Sequence, residues 1–245
     1  MDEFQLLLDL HKGASRQGPG GDAETERAID LAGLSRNVPL NIADIGCGTG
    51  ASTLLLARLL EAQITAVDFL QDFLEVLEDK AKKMGLSEKV TTLCCSMDNL
   101  PFRDEEYDVI WSEGAIYNIG FRRGVIDWNR YLKVGGRLVV SEITWITDIR
   151  PLELQKYWEA EYPEIDVASS KIGVLEKNGY SPIGYFVLPE HCWLENYYRP
   201  MQNRFTFLGL QIERDRAFVA VIQYPGEVHF GVGTGRQLVI TAVRI

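Results

Sequence analysis

Residues 42–53 read Ile-Ala-Asp-Ile-Gly-Cys-Gly-Thr-Gly-Ala-Ser-Thr, and this segment constrains the fold more than any other. A short apolar run ends in an acidic residue and a glycine-rich turn, and the apolar pattern Leu54, Leu55, Leu56, Leu59, Leu60 follows at once. Such a sequence specifies a strand, a tight turn and a helix, the opening unit of an α/β nucleotide-type site. Gly46, Gly48 and Gly50 suit a turn that needs backbone angles closed to a Cβ and a ligand lying close to bare backbone. The helix behind the turn then aims its free N–H groups at whatever occupies it.

The glycines alternate as Gly46-Cys47-Gly48-Thr49-Gly50, unlike the G-x-G-x-x-G spacing of dinucleotide sites, and Asp44 stands where a dehydrogenase strand is usually apolar. The segment resembles motif I of the class I S-adenosylmethionine-dependent methyltransferases, a D-x-G-x-G-x-G pattern. In that family the glycines receive the amino-acid end of S-adenosyl-L-methionine. Three further segments fall in the order the family requires. Gln63–Val67 reads as a second strand ending at Asp68 and Phe69, close to the ~20-residue spacing of an acidic ribose contact. A carboxylate there accepts hydrogen bonds from both ribose hydroxyls. After a third strand, Val90–Cys94, the run Cys95-Ser96-Met97-Asp98-Asn99-Leu100-Pro101-Phe102 resembles the adenine-pocket element. Ser96, Met97 and Asp98 are thereby implied to hold the base. Asp98 also reads as a turn or cap residue, and Met97 as core filler.

Tyr107–Trp111 reads as a fourth strand whose apolar run stops at Ser112 and Glu113, beyond the carboxyl end where open parallel sheets bind ligands. Glu113 is implied to sit near the ammonium or sulfonium of the cofactor. Leu132-Lys133-Val134-Gly135-Gly136 is similar to the Leu-Lys-Pro-Gly-Gly turn of these enzymes, with valine for proline, and feeds a fifth strand at Arg137–Ser141. The resemblance covers residues 40–145. The stretches 111–120 and 162–166 are similar to bacterial small-molecule methyltransferases of the UbiE-like type.

The expected architecture is a Rossmann-like, doubly wound α/β fold with a seven-stranded sheet, mostly parallel, its last strand antiparallel, and helices on both faces. A single domain over 1–245 is expected, with a helical cap at 1–40, a cofactor-binding core at 41–145 and acceptor-side helices and strands at 146–245. Phe4–His11 and a helix capped by Asp22 form the cap, joined by the glycine-rich stretch 15–21. By resemblance this cap acts as a lid, and Arg16 either meets the cofactor carboxylate or merely lies in a linking loop. Helices are expected near 50–61, 71–84, 121–132, 152–162 and 169–178, with a helical tendency over 193–214. Pro182–Leu188 suggests a sixth strand. Leu238–Val243 and Glu227–Val232 compete for the last, and the glycine run 231–235 reads as a hairpin turn.

A formal charge of −10 argues against a nucleic-acid acceptor, because phosphate binding concentrates Lys and Arg. The clusters Lys80–Lys83 and Arg122–Arg123 read as solvated helix faces. Cys47, Cys94, Cys95 and Cys192 lack metal-ligand spacing, so no metal is expected and the thiols read as reduced and cytoplasmic. For Cys47 the helix N-terminus offers a lowered pKa, against the plainer reading of a small residue in a tight space. Neither a membrane-length apolar run nor a secretory signal pattern is seen. A monomer or homodimer acting on a small molecule is expected. General-base candidates are Glu113, Tyr117, Glu142 and His191, each of which also reads as a pocket wall. Tyr117, Trp145, Tyr157, Trp158, Tyr162, Trp193, Tyr197 and Tyr198 suggest a partly apolar or aromatic acceptor pocket, with about half of them expected to be core. The alternatives are a non-catalytic S-adenosylmethionine-binding protein and a nicotinamide-dependent oxidoreductase.

Overall fold

Strand pairing follows from the apolar runs. In the computed structural model, which describes residues 3–207 and 235–245, the strands are β1 (Leu40–Ile45), β2 (Ala62–Asp68), β3 (Val90–Cys94), β4 (Tyr107–Ser112), β5 (Leu132–Trp145), β6 (Asp166–Val167), β7 (Tyr180–Val187) and β8 (Gly235–Arg244). They form one sheet in the order β3-β2-β1-β4-β5-β8-β7, with the two-residue β6 paired to the end of β5. Among the described residues the sheet thus has eight strands, one more than expected, because the extended Asp166–Val167 pair meets Thr144 and Trp145. β1 to β5 are mutually parallel along the path, and β8 runs antiparallel between β5 and β7.

The helices are α1 (Glu3–Lys12), α2 (Asp22–Leu31), α3 (Ala51–Leu59), α4 (Gln71–Lys83), α5 (Phe121–Asn129), α6 (Leu152–Glu161), α7 (Ala168–Lys177), α8 (Glu190–Trp193) and α9 (Arg199–Phe207). A π-helical turn, Leu194–Tyr198, joins α8 to α9. Both faces of the sheet are covered, and the period-2 alternation of strands divides the core accordingly. Ala43, Ile45, Val67, Ile110 and Val140 pack with Phe121, Val125 and Trp128 of α5 on one side. Ile42, Ile64, Val109, Trp111 and Val139 pack with Ile29 of α2 and Leu56 of α3 on the other.

Several local expectations change. β5 starts at Leu132, so the Val-Gly-Gly segment lies within the strand; Gly135 takes φ +81° and the pairing with β4 shifts register between Tyr107 and Val109. Gly21, not Asp22, occupies the N-cap of α2, and the Asp22 carboxylate binds Arg16 instead. Leu238–Val243 lies in the last strand; the competing Glu227–Val232 and most of the glycine run 231–235 lie outside the described residues. Among the described residues no helix is long and apolar enough to cross a membrane.

Candidate cofactor and acceptor site

The carboxyl ends of β1, β2 and β4 open onto one cavity of ≈ 590 Å³, within the range of small-molecule sites. Its floor is the turn after β1. Gly46 adopts φ +75°, and a Cβ there would lie 2.3 Å from Ala115 Cβ and 3.2 Å from Met97 Cε. No side chain fits between the turn and the residues that follow β3 and β4.

Polar contacts brace this turn from several directions. Asp68 accepts from the Gly48 N–H at 2.9 Å and from the Leu70 N–H at 3.0 Å, one bond to each carboxylate oxygen. Burial raises the Asp68 pKa, against the lowering effect of these backbone donors. Gln17 Oε1 accepts from the Thr49 N–H at 2.8 Å, tying the 13–21 loop to the glycine turn. Lys80 donates to the Thr49 carbonyl at 3.0 Å and to its hydroxyl at 2.9 Å. Lys80 therefore reaches inward from α4 and is not part of a solvated face; burial lowers its pKa.

Asp44 lies behind the turn and does not line the cavity. It is fully buried, and its Oδ2 accepts from Ser52 Oγ at 2.9 Å and Thr53 Oγ1 at 2.6 Å, the first turn of α3. Burial pushes its carboxyl up to about 7 despite those donors. Gly50 and Ser112 also stand outside the lining. Gly50 caps α3 with φ +85°, and Ser112 Oγ donates to the Ile45 carbonyl at 2.8 Å. Gly46, Cys47, Gly48, Asp68, Phe69, Ser96, Met97, Asp98 and Glu113 do line it. Cys47 has a raised pKa, not a lowered one, because burial and the carboxylates of Asp44 and Asp68 outweigh a backbone hydrogen bond that favours the thiolate.

The segment that follows β3 is held at two points. Trp128 Nε1 donates to the Met97 carbonyl at 3.0 Å. Ser96 Oγ donates to Asp98 Oδ1 at 2.6 Å, and this bond, with Arg123 nearby, lowers the Asp98 pKa. Opposite, Glu113 accepts from Arg16 at 3.1 Å, Thr25 Oγ1 at 2.7 Å and Trp111 Nε1 at 3.0 Å. The Arg16–Glu113 pair is about nine-tenths buried on both sides, so the 13–21 loop is latched to the end of β4.

The general-base candidates part company. Tyr117 lines the cavity beside Asn118 and Ile119, its phenol pushed up to about 12 by burial and by Glu142. Glu142 does not line it. There Glu142 accepts from Tyr162 at 2.7 Å and Lys171 at 2.5 Å, and burial raises its pKa. His191 lies apart from the cavity, 3.4 Å from Glu24. Of the eight aromatics expected near an acceptor, only Tyr117 lines this cavity. Trp145 and Tyr162 instead pack with Ile143 and Ile165 in a separate buried cluster. The cavity residues not singled out in sequence include Gln17, Pro19, Ala115 and Asn118, while Cys95 opens the run read as the base-side element. Only the glycine-rich composition of 15–21 signals any of them.

Residues 43–140 match the family described as a methyltransferase domain. The chain is 30% identical over 222 residues to the O-methyltransferase cnsE of Penicillium expansum, covering 84% of this chain and 77% of that one. It spans about half the length of several other curated relatives that it matches. Its fold superposes with a TM-score of 0.82 on a SAM-dependent methyltransferase from Geobacter sulfurreducens in complex with S-adenosyl-L-homocysteine, at 14% identity, covering 98% of each chain. A [4+2]-cyclase, SpnF, superposes with a TM-score of 0.75 at 21% identity, covering 98% of this chain and 92% of that one. With the alternating-glycine turn, the acidic end of β2 and the matching relatives all in place, the chain belongs to the class I S-adenosylmethionine-dependent methyltransferases.

Proposed function

We propose that this cavity binds S-adenosyl-L-methionine and that the chain transfers its methyl group to a small-molecule acceptor. The observation carrying the reading is the continuous wall formed by the glycine turn, Asp68, Met97 and Glu113 at the carboxyl edge of the sheet. The residues fit the group. Asp68 keeps lone pairs for two ribose hydroxyls after serving the backbone, the Gly46 backbone lines the cavity, and Glu113 offers negative charge near a cationic centre. When bound, the cofactor supplies a methyl on a sulfonium already activated for in-line displacement.

The protein's task is then alignment and exclusion of water. Arg16 and Gln17 hold the lid loop over the glycine turn. Ser96, Met97 and Asp98 form the base wall. Tyr117, Asn118 and Ile119 border the remaining space, where an acceptor with apolar character fits best. Among the general-base candidates that line the cavity, Glu113 is engaged by three donors and Tyr117 holds its proton tightly. An acceptor that is nucleophilic without deprotonation by the enzyme suits this wall. Isothermal titration with S-adenosyl-L-methionine and S-adenosyl-L-homocysteine tests the site; micromolar binding is expected, and binding of NADH alone overturns the reading. Turnover on a panel of small apolar and aromatic acceptors then separates an enzyme from a cofactor-binding protein.

A further inference from the structure

Away from the cavity, the start of α2 and the short α8 bring together a carboxylate, an imidazole and a thiol. The ligand atoms of Glu24, His191 and Cys192 all lie within 4.8 Å of one another. His191 Nε2 is 3.4 Å from Glu24 Oε1 and 3.7 Å from Cys192 Sγ. Tetrahedral ligation at ordinary zinc bond lengths separates N from O by ~3.3 Å and S from N by ~3.6 Å. Both spacings are within a few tenths of an ångström of those observed.

A carboxylate–imidazole hydrogen bond alone leaves two features unexplained. The carboxylate whose Oε1 meets His191 is only 9% exposed, and its other oxygen, Oε2, is buried with no hydrogen-bond partner, so the buried charge is poorly compensated by protein donors alone. Gly21 leaves it room, since a Cβ there would lie 2.2 Å from that oxygen. The Cys192 thiol is wholly buried beside it, while His191 remains half exposed and leaves one side open to solvent. An oxygen, a nitrogen and a sulfur donor together suit a borderline-soft dication. Two anionic donors and a neutral imidazole would also make the occupied site electrically neutral, which a buried location favours.

We propose that Glu24, His191 and Cys192 form a three-ligand site for Zn²⁺, with a water completing the tetrahedron on the open His191 side. The metal would clip α2 to α8. Thr25, next to Glu24, donates to Glu113 at 2.7 Å, so the clip also holds the element that latches the cavity wall. The ligands come from opposite ends of the chain, so no sequence spacing announces them.

The test is metal titration of the full chain stripped with a chelator, with Co²⁺ as spectroscopic probe. One equivalent should produce thiolate-to-cobalt charge-transfer absorption that Zn²⁺ bleaches on displacement. The absorption should be lost in Cys192→Ser and retained when the accessible thiols are removed together in Cys94→Ser/Cys95→Ser. Because Cys192 is wholly buried and its variant risks misfolding, the half-exposed His191→Ala provides an independent arm, expected to weaken Co²⁺ binding at least tenfold. Absence of the band from the wild type, its survival in folded Cys192→Ser, its loss in the Cys94/Cys95 variant, or unchanged affinity in His191→Ala overturns the site. None of these readouts depends on cofactor binding or methyl transfer.

Discussion

Replacing Asp68 with asparagine tests the double role given to this carboxylate. In the structure each oxygen accepts one backbone N–H, from Gly48 and from Leu70. An amide presents one oxygen and one NH₂, so in either orientation one of those N–H groups faces a donor. A hydrogen bond to a charged acceptor contributes ~1.5–3 kcal/mol, and water partly replaces it at this half-buried position. Asp68→Asn should therefore lower the unfolding free energy by ~1–2 kcal/mol. The cofactor loses more, because vicinal ribose hydroxyls need two acceptors and the amide has one. Losing one charge-assisted bond corresponds to a roughly 10- to 100-fold rise in Kd. Isothermal titration with S-adenosyl-L-homocysteine, alongside urea unfolding, reads both effects. The raised pKa of Asp68 adds a pH signature. Ribose donors favour the ionised form, so wild-type affinity should fall as pH drops through that raised value, while the asparagine variant stays flat. Binding by Asp68→Asn within twofold of wild type would refute the ribose assignment, and an unchanged unfolding midpoint would refute the brace.

Gly46→Ala should destabilise the protein by ~2–5 kcal/mol, from a left-handed backbone angle (~1–2 kcal/mol) and a collision with Ala115 (~1–3 kcal/mol), read as a lower Tm. Lys171→Met should cost ~3–5 kcal/mol by stranding the buried Glu142 carboxylate, and adding Glu142→Gln should recover much of it in urea unfolding; equal losses in both variants would count against the pair. Asp44 holds its proton up to about pH 7 when folded but only to the ordinary carboxylate range when unfolded. The folded state thus binds more protons between these values, and stability should decline as pH rises from ~4 to ~7, by at most ~1.4 kcal/mol per unit from this group. Asp44→Asn should flatten that part of the unfolding profile, and an unaltered slope would mean that Asp44 is ionised throughout.

The parallel core was legible because its signals are local. Ile42 to Ile45, Ile64 to Val67 and Val109 to Trp111 are short, mainly apolar runs bounded by glycine or polar residues, and burial on both faces of a sheet demands such runs. The antiparallel place of β8 was legible only as one of two options, since a short alternating segment carries little information about its partner. Polar residues were the hardest to read. Lys80 looks like its neighbours Lys82 and Lys83 in sequence, yet it alone reaches Thr49 among them, because the helical turn of α4 points it at the glycine loop. His191 looked like a base beside the cavity; its place after β7 set the element but not the direction of the ring, which faces Glu24. The aromatic residues misled for a related reason, since rings in a helical segment look the same whether they line a pocket or fill a core.

The glycine turn shows how these two kinds of information combine. Its sequence signals the backbone angles but not what keeps them, and the structure supplies four separate anchors from four elements. Asp44 of β1 fixes the first turn of α3, Asp68 of β2 holds Gly48, Lys80 of α4 holds Thr49, and Gln17 of the 13–21 loop holds Thr49 from the other side. The first three belong to the sheet and its flanking helices. Only the Gln17 anchor belongs to the cap, where the 13–21 loop is also held by the Arg16–Glu113 latch and by Asn196 Nδ2, which donates to the Gly20 carbonyl at 2.7 Å. The glycine turn therefore keeps three internal anchors that do not depend on this loop. Losing the contacts of Gln17, Arg16 and Gly20 would free the loop without removing those three anchors.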